Sequence, residues 1–480
     1  MAPEAPALAG RRRTWAFAVV VVAFVMDLLD LTIVNVALPG IAHALQASQA
    51  QVAWIVAGYA LAFAVLLVIG GRLGDLCGHR TMFVWGVGSF TLASLACGLA
   101  DSAAALVLAR VAQGACAALM VPQVLTLMQA MYAPHERMRA FTVFGMLGGA
   151  ASALGPVLGG VLVDADLAGL GWRVVFLINL PVGALAIAGA WRLLPRDPPA
   201  PGTALDLGGT AWCLLAALAW AVPLLEGPER GWSPALLLLL ASAPLCSWAL
   251  WRHCRQLEAR GGQPIVLPSL LQEPGYRGGL LVSLVCTGLM PAYLFVLTLA
   301  LQMGAGLSAT QMSTLCLPVA LGVTASITWL GKRAFARWGA RCIALGTALQ
   351  LAGSALMAAV CAGALGEPAR VAMGWPGLLA QALLGLGVGF VGPPLTAVSL
   401  QAVPRSQAGG ASGVVNAGRQ FAAVGGVALV AALVPRPGPG GHSPAVLLQA
   451  MPALALMALA GAALAWRLPR LAAPDPGQTS

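Results

Sequence analysis

Charge is what this sequence has least of. Acidic and basic residues together make up 9% of 480 residues, where a water-soluble domain carries about 25%. Lysine is almost missing: of the 26 basic residues, Lys332 alone is not arginine. The ten cysteines form no Cys-x-x-Cys pair and no Cys/His ligand spacing, so neither a disulfide framework nor a zinc site is indicated. Cys97, Cys116, Cys213, Cys246, Cys286, Cys316 and Cys361 lie inside apolar runs, where they read as small fillers. There is no Walker-type phosphate loop and no nucleophile with a histidine partner. His43, His79, His135, His253 and His442 all fall in loops or at the edges of apolar runs. These absences argue against an enzyme and against movement driven by ATP.

Apolar surface is what remains. Hydrophobic residues are 59% of the chain, and even a large soluble domain buries only about 75% of its surface. That much apolar area excludes an ordinary soluble enzyme, a disordered chain and a disulfide scaffold. An all-α polytopic membrane protein is expected, since a bilayer span takes about 20 apolar residues.

The apolar runs separate at charges and turn residues. Spans are expected at about 15–38, 52–71, 82–100, 103–131, 140–163, 174–191, 207–225, 233–251, 278–303, 311–331, 342–362, 374–399, 409–434 and 446–466, each long enough to cross about 30 Å of hydrocarbon. Residues 278–331 carry no charge, yet one helix of that length would run about 80 Å. The chain must therefore turn, and Gly304-Ala305-Gly306-Leu307-Ser308 is the place. Glu226-Gly227-Pro228-Glu229-Arg230 reads as a short external turn. Arg11-Arg12-Arg13 before an apolar run imitates a signal peptide, but that run contains Asp27 and Asp30 and continues to Pro39, so it reads as a retained first span.

Fourteen spans place both termini on one side. With that side cytoplasmic, twenty basic residues fall inside, four (Arg173, Arg230, Arg370 and Arg436) fall outside, and Arg110 and Arg419 lie within spans. This is the positive-inside pattern. It accounts for a net charge of +10 without nucleic acid, and no basic stripe interleaved with aromatics occurs. The expected organisation is a cytoplasmic tail (1–14), a six-helix bundle (15–191), two additional transmembrane helices (207–251), a basic central cytoplasmic loop (252–276) containing Pro264, Pro268 and Pro274, a second six-helix bundle (277–467) and a cytoplasmic tail (468–480). A weak echo of Gly71–Arg80 at Gly331–Arg341 supports duplication of two parallel halves.

Four ionisable residues lie within spans: Asp27, Asp30, Arg110 and Arg419. A charge at mid-bilayer costs about 2.5–3.5 kcal/mol on insertion scales, which makes each a functional candidate. Asp27 and Asp30 are three apart on one helix face, with Asn35 on the same span. Two carboxylates this close in a low dielectric do not both ionise readily, and a carboxylate that takes and releases a proton is what proton-coupled transport needs. The other reading is a fixed ion pair, such as Asp30 with Arg110, pinning spans one and four. Arg419 sits in a run of small residues, Gly409 to Gln420, with Asn416 one turn before it. This is either a second polar site or a close-packed helix contact with a buried polar network. Gly155-Pro156 with Gly159-Gly160 permits bending and close approach in span five. Gly392-Pro393-Pro394 predicts a broken or kinked helix in span twelve.

Together these pieces resemble the major facilitator superfamily, specifically its 14-span drug:proton antiporter branch, over nearly the whole chain. Leu29-Asp30-Leu31-Thr32-Ile33-Val34-Asn35-Val36-Ala37-Leu38-Pro39 is similar to that branch's first-span motif. Residues 71–80 match the superfamily's loop signature, with Asp75 as its acidic member. Arg110, Gln113 and Gly114 match the fourth-span motif, and Gly155, Pro156, Gly159 and Gly160 the antiporter motif. Trp172-Arg173 with Phe176 to Gly183 is also typical of the branch. His79 stands where the family usually has arginine, and the later spans carry none of the acids found in several relatives.

The resemblance implies two six-helix bundles plus two extra central helices in the cytoplasmic membrane of a bacterium. It implies a proton-coupled exporter of drugs or other amphiphilic molecules, working by alternating access. Arg72, Asp75 and Arg80 would form a cytoplasmic charge cluster that holds one face closed. The expected partners are the bilayer, protons and a small-molecule substrate. No cofactor beyond the proton gradient, no nucleic acid and no obligatory protein partner is called for. Rival readings are a dedicated exporter of one endogenous metabolite or siderophore, a proton-coupled uptake symporter, and a non-transporting membrane sensor.

Overall fold

A computed structural model describes residues 10–196, 204–401, 403, 408–434 and 443–468. Most of the two tails expected at 1–14 and 468–480 lies outside these residues, as do Arg405 and Arg436. The described chain is helical throughout, with no strand among the described residues.

The helices follow the apolar runs. They are α1 Gly10–Leu45, α2 Gln49–Cys77, α3 His79–Leu99, α4 Ala103–Met131, α5 Pro134–Asp164, α6 Gly171–Leu193, α7 Leu207–Arg230 and α8 Pro234–Ala259. After these come α9 Pro274–Gly304, α10 Ala309–Leu330, α11 Arg341–Cys361, α12 Trp375–Gln401, α13 Ala408–Leu433 and α14 Val446–Trp466. Among the described residues 13 helices are long and apolar enough to cross a membrane; α5 is a further 31-residue helix whose Leu154–Asp164 end is apolar. This is a multi-pass membrane protein.

Local chemistry sets several boundaries. Ser48 and Gln51 form a reciprocal capping box at the start of α2, satisfying two amides that the helix cannot. Ser102 caps α4 by accepting from the Ala105 amide, and Asp206 caps α7 by accepting from Gly209 at 2.7 Å. The uncharged stretch 278–331 turns between Gly304 and Ala309, as its length requires.

Three expectations need correction. Glu226 to Arg230 is not a turn: α7 runs on through Arg230 and reverses at Gly231, whose φ is 74°. The central loop is shorter than 252–276, because α8 continues to Ala259 and Pro268–Gln272 forms a helix of its own. In both places charged residues end the hydrocarbon span without ending the helix, since arginine and glutamate are good helix formers in water. Of the break or kink expected at Gly392-Pro393-Pro394, the break does not occur: α12 is continuous from Trp375 to Gln401.

The chain divides into two compact units, Met1–Ile265 with Ser308–Thr314, and Val266–Leu307 with Leu315–Ser480. In the first, α4 packs against α2 and α3, and α1 against α5 and α6; α7 and α8 pair with each other, and α7 leans on α2. Of the candidate spans α8 hides least, with 11% of its apolar window buried, so its surface is one that lipid must cover. In the second unit α11 packs on α12 and α14, while α9 touches α12, α13 and α14.

Candidate functional site

The first unit buries a set of polar side chains at the meeting of α1, α2, α3, α4 and α6. Asp30 of α1 and Arg110 of α4 are each 1% exposed. Arg110 donates through Nη1 to Asp30 Oδ2 and, at 2.7 Å, to Gln113 Oε1. Its Nε donates to the Ile55 carbonyl at 3.1 Å, and its guanidinium lies 4.3 Å from the Tyr59 ring centroid and 5.7 Å from that of Phe176. The other Asp30 oxygen accepts from Gln113 Nε2 at 2.8 Å and Asn179 Nδ2 at 3.2 Å. Both amides also donate to Ser94 Oγ, at 2.8 and 3.2 Å. A charge this deep is tolerated only when it is paired and its remaining hydrogen-bonding groups are met, and here that condition is satisfied. Gly114 makes the approach possible: a Cβ there would sit 2.2 Å from the Tyr59 carbonyl oxygen.

Asp27, 2% exposed, has a different partner. The Tyr59 hydroxyl donates to its Oδ1 at 2.5 Å. The two carboxylates therefore share a helix face but not a network: Asp30 faces a cation and two amides, Asp27 a phenol. Asn35 donates its amide back to the carbonyls of Leu31 and Thr32, both at 3.3 Å.

Asp30 and Asn179 also border a cavity of about 500 Å³ between α1, α5 and α6. Its walls include Phe17, Val25, Leu147, Leu158 and Val182, and it is apolar except at Thr14, Asp30 and Asn179. A space of this size suits a small organic molecule with an apolar body. The glycines around Pro156 seat α5 on its neighbours. A Cβ at Gly155 would lie 1.9 Å from Thr32 Oγ1, and one at Gly159 2.7 Å from Ile33 Cγ1. One at Gly160 would lie 1.9 Å from Ser313 Oγ, which itself donates to the Pro156 carbonyl at 2.5 Å.

Each residue of the expected charge cluster has partners outside that cluster. Arg72 donates to three backbone carbonyls, Ala204 at 3.0 Å, Pro264 at 2.9 Å, and Gln263. Arg80 donates to the Trp191 carbonyl and lies over that ring. Asp75 pairs with His79 at 3.4 Å. Guanidinium groups with several donors are drawn to unpaired loop carbonyls, and His79, where an arginine was expected, takes the acid. Beside Arg72, Asp206 accepts from the Gly209 and Ile265 amides at 2.7 and 3.0 Å and lies 2.7 Å from His253 Nε2. Burial pushes its carboxyl up, but these hydrogen bonds outweigh it and hold it below the usual range.

In the second unit, Arg419 donates to Thr396 Oγ1, and Asn416 lies one turn before it, half-buried. Sequence reasoning did not single out Tyr59, Ser94 or Asn179 as site residues. Tyr59 could have been found: a tyrosine in the middle of an apolar run needs a partner for its hydroxyl. Ser94 could not, because a serine in a helix ordinarily bonds its own backbone.

Residues 20–427 match the family described as Major Facilitator Superfamily. The chain is 38% identical over 423 residues to a protein named probable actinorhodin transporter from Streptomyces coelicolor, covering 88% of this chain and 72% of that one. It is 32% identical over 450 residues to a methylenomycin A resistance protein of the same organism, covering 93% and 90%. Among solved structures, a bacterial homologue of the human lysosomal transporter Spinster superposes with a TM-score of 0.65 at 17% identity, covering 98% of this chain and 100% of that one. With helices of this number, order and packing, and a family match over most of its length, the chain belongs to the Major Facilitator Superfamily.

Proposed function

We propose that this chain exports drugs or other amphiphilic, largely apolar small molecules across the cytoplasmic membrane of a bacterium in exchange for protons. Both termini lie in the cytoplasm on this reading. The names of its relatives, a probable actinorhodin transporter and a methylenomycin A resistance protein, support export. The observation that carries the reading is the position of Asp30. It is the ion-pair partner of Arg110, and the same residue borders an apolar cavity from which its side chain is shielded, so a proton-accepting group stands next to a space for cargo.

The cycle follows from that position. With the site open outward, a proton neutralises Asp30, loosening its hold on Arg110 and favouring release of cargo. With the site open inward, the proton leaves, the ion pair re-forms and cargo binds. Coupling requires that cargo and proton bind the two states unequally, and one proton moving down about 100 mV supplies about 2.3 kcal/mol. Asp27 with Tyr59 is assigned as a second acid on the same helix face, and Asn35 as a polar support of α1. Arg72, Asp75 and Arg80 are assigned to closing the cytoplasmic face, with backbone carbonyls and His79 among their partners. No cofactor is needed beyond the gradient.

Transport into inverted vesicles with an imposed pH gradient tests this, using a panel of dyes and antibiotics with wild type, Asp30→Asn and Asp27→Asn. Loss of gradient-driven uptake in Asp30→Asn is expected. If both variants keep it, the carboxylate mechanism is wrong. A second reading, a dedicated exporter of one metabolite, is favoured by the relative named for a single compound. Movement of a single chemical class across the panel would select it.

A further inference from the structure

Two cations lie within the spans, and the structure treats them differently. Arg110 is answered by Asp30, Gln113, the Ile55 carbonyl and two aromatic faces. Arg419 is not. Its Nη2 donates to Thr396 Oγ1, and among the described residues that is its one hydrogen-bond partner. Its Nε is buried with no acceptor. Nor can its own unit supply a counter-ion within the spans: after Glu273 the sequence holds only Glu367 and Asp475 as acids, both outside α9 to α14.

Close packing of α13 does not explain this arginine. Gly413, Ala417 and Gly418 already provide small residues there, and an unpaired guanidinium works against burial. The geometry around it is that of a held but unfilled fork. Thr396 Oγ1 donates to the Gly392 carbonyl at 3.1 Å, which leaves its lone pairs to accept from Arg419. Nη2 is thereby held by Thr396 and Nε is sealed off, while Nη1 and the second Nη2 hydrogen are left for an acceptor from outside. Arg419 is partly exposed, so such an acceptor can reach it. Asn416, three residues earlier on the same helix face, is also partly exposed and makes no side-chain hydrogen bond among the described residues.

We propose that Arg419, positioned by Thr396 and flanked by Asn416, binds an anionic oxygen group, a carboxylate or phenolate, carried on an apolar cargo molecule. A guanidinium fork matches such a group with two parallel charge-assisted hydrogen bonds. The chain's cargo on this view includes organic anions, although its membrane acids alone would have pointed to cations. This assignment rests on the reading of the chain as an exporter.

The test is binding to the purified full chain, followed by fluorescence anisotropy with two dyes of one ring system. Fluorescein is anionic at neutral pH and rhodamine 123 is cationic. Arg419→Gln is expected to weaken fluorescein about tenfold, the loss of a charge-assisted pair, and to leave rhodamine 123 within about twofold. Arg419→Lys keeps the charge but not the fork, and should recover part of the loss. Thr396→Val frees the guanidinium and should weaken fluorescein about threefold. If Arg419→Gln does not fold, Thr396→Val decides the matter. Fluorescein affinity unchanged in the folded variants, equal weakening of both dyes, or no binding of fluorescein by wild type overturns the proposal. The two readings fail separately: loss of gradient dependence in vesicle transport bears on proton coupling, whereas the ratio of fluorescein to rhodamine 123 affinity in Arg419→Gln, measured without any gradient, bears on Arg419 alone.

Discussion

The Tyr59 hydroxyl donates to Asp27 Oδ1 at 2.5 Å. The same tyrosine ring lies beneath Arg110, 4.3 Å from its guanidinium carbon, and Arg110 holds Asp30. One aromatic side chain on α2 therefore touches both acidic positions of α1, directly at one and through a cation at the other.

Tyr59→Phe removes the hydroxyl and keeps the ring. We expect a cost of about 1–3 kcal/mol, the penalty for leaving a buried polar group unanswered, seen as a lowered midpoint in thermal unfolding of the purified protein. Gradient-driven transport should fall several-fold. An unchanged midpoint and unchanged transport would mean that Asp27 draws nothing from this bond.

Breaking the central ion pair from one side should be worse than removing it whole. Arg110→Gln strands Asp30 without its cation, at a cost of about 3–5 kcal/mol. Adding Asp30→Asn to that variant removes the stranded charge and should restore most of the stability without restoring transport. Thermal unfolding of the two singles and the double forms a cycle that measures the coupling.

Gly155→Ala would place a methyl group 1.9 Å from Thr32 Oγ1. Overpacking of this kind costs about 1–3 kcal/mol. Thr32→Ala removes the obstructing oxygen, so the double variant should be more stable than Gly155→Ala alone. No recovery in the double variant would place the strain elsewhere on α5.

Asp206 makes the start of α7 sensitive to acid. Its carboxyl is held below the usual range, by hydrogen bonds that outweigh the effect of burial, so the folded state favours its charged form. A depressed carboxylate contributes stability above its unfolded value, about 3.9, and loses that contribution as pH falls through the folded value. The difference in unfolding midpoint between wild type and Asp206→Ala should be full at neutral pH, at about 1–2 kcal/mol for a lost helix cap. Below about pH 4 it should shrink. A difference independent of pH would assign the effect to packing alone.

Hydropathy and charge are properties of residues in a row, and they carried the membrane architecture. The spans lie where the apolar runs are, and the four ionisable positions within them stand out against a background almost free of charge. The helix ends were harder to place. At Arg230 and Ala259 the helix outlasts the hydrophobic run, because backbone hydrogen bonding continues in water after the apolar signal has stopped. Pairing was harder still. Asp30 meets Arg110 across 80 residues and Asn179 across 149, and no local pattern states which polar groups will face one another once the helices pack. The sequence offered two neighbouring acids as a couple; the packing of α2 and α4 gave one of them a cation and the other a phenol. It likewise placed Arg419 in a span without saying that no acid among the described residues would pair with it. Composition decides that a charge lies in a membrane span. Only the approach of distant helices decides whether that charge is answered from within.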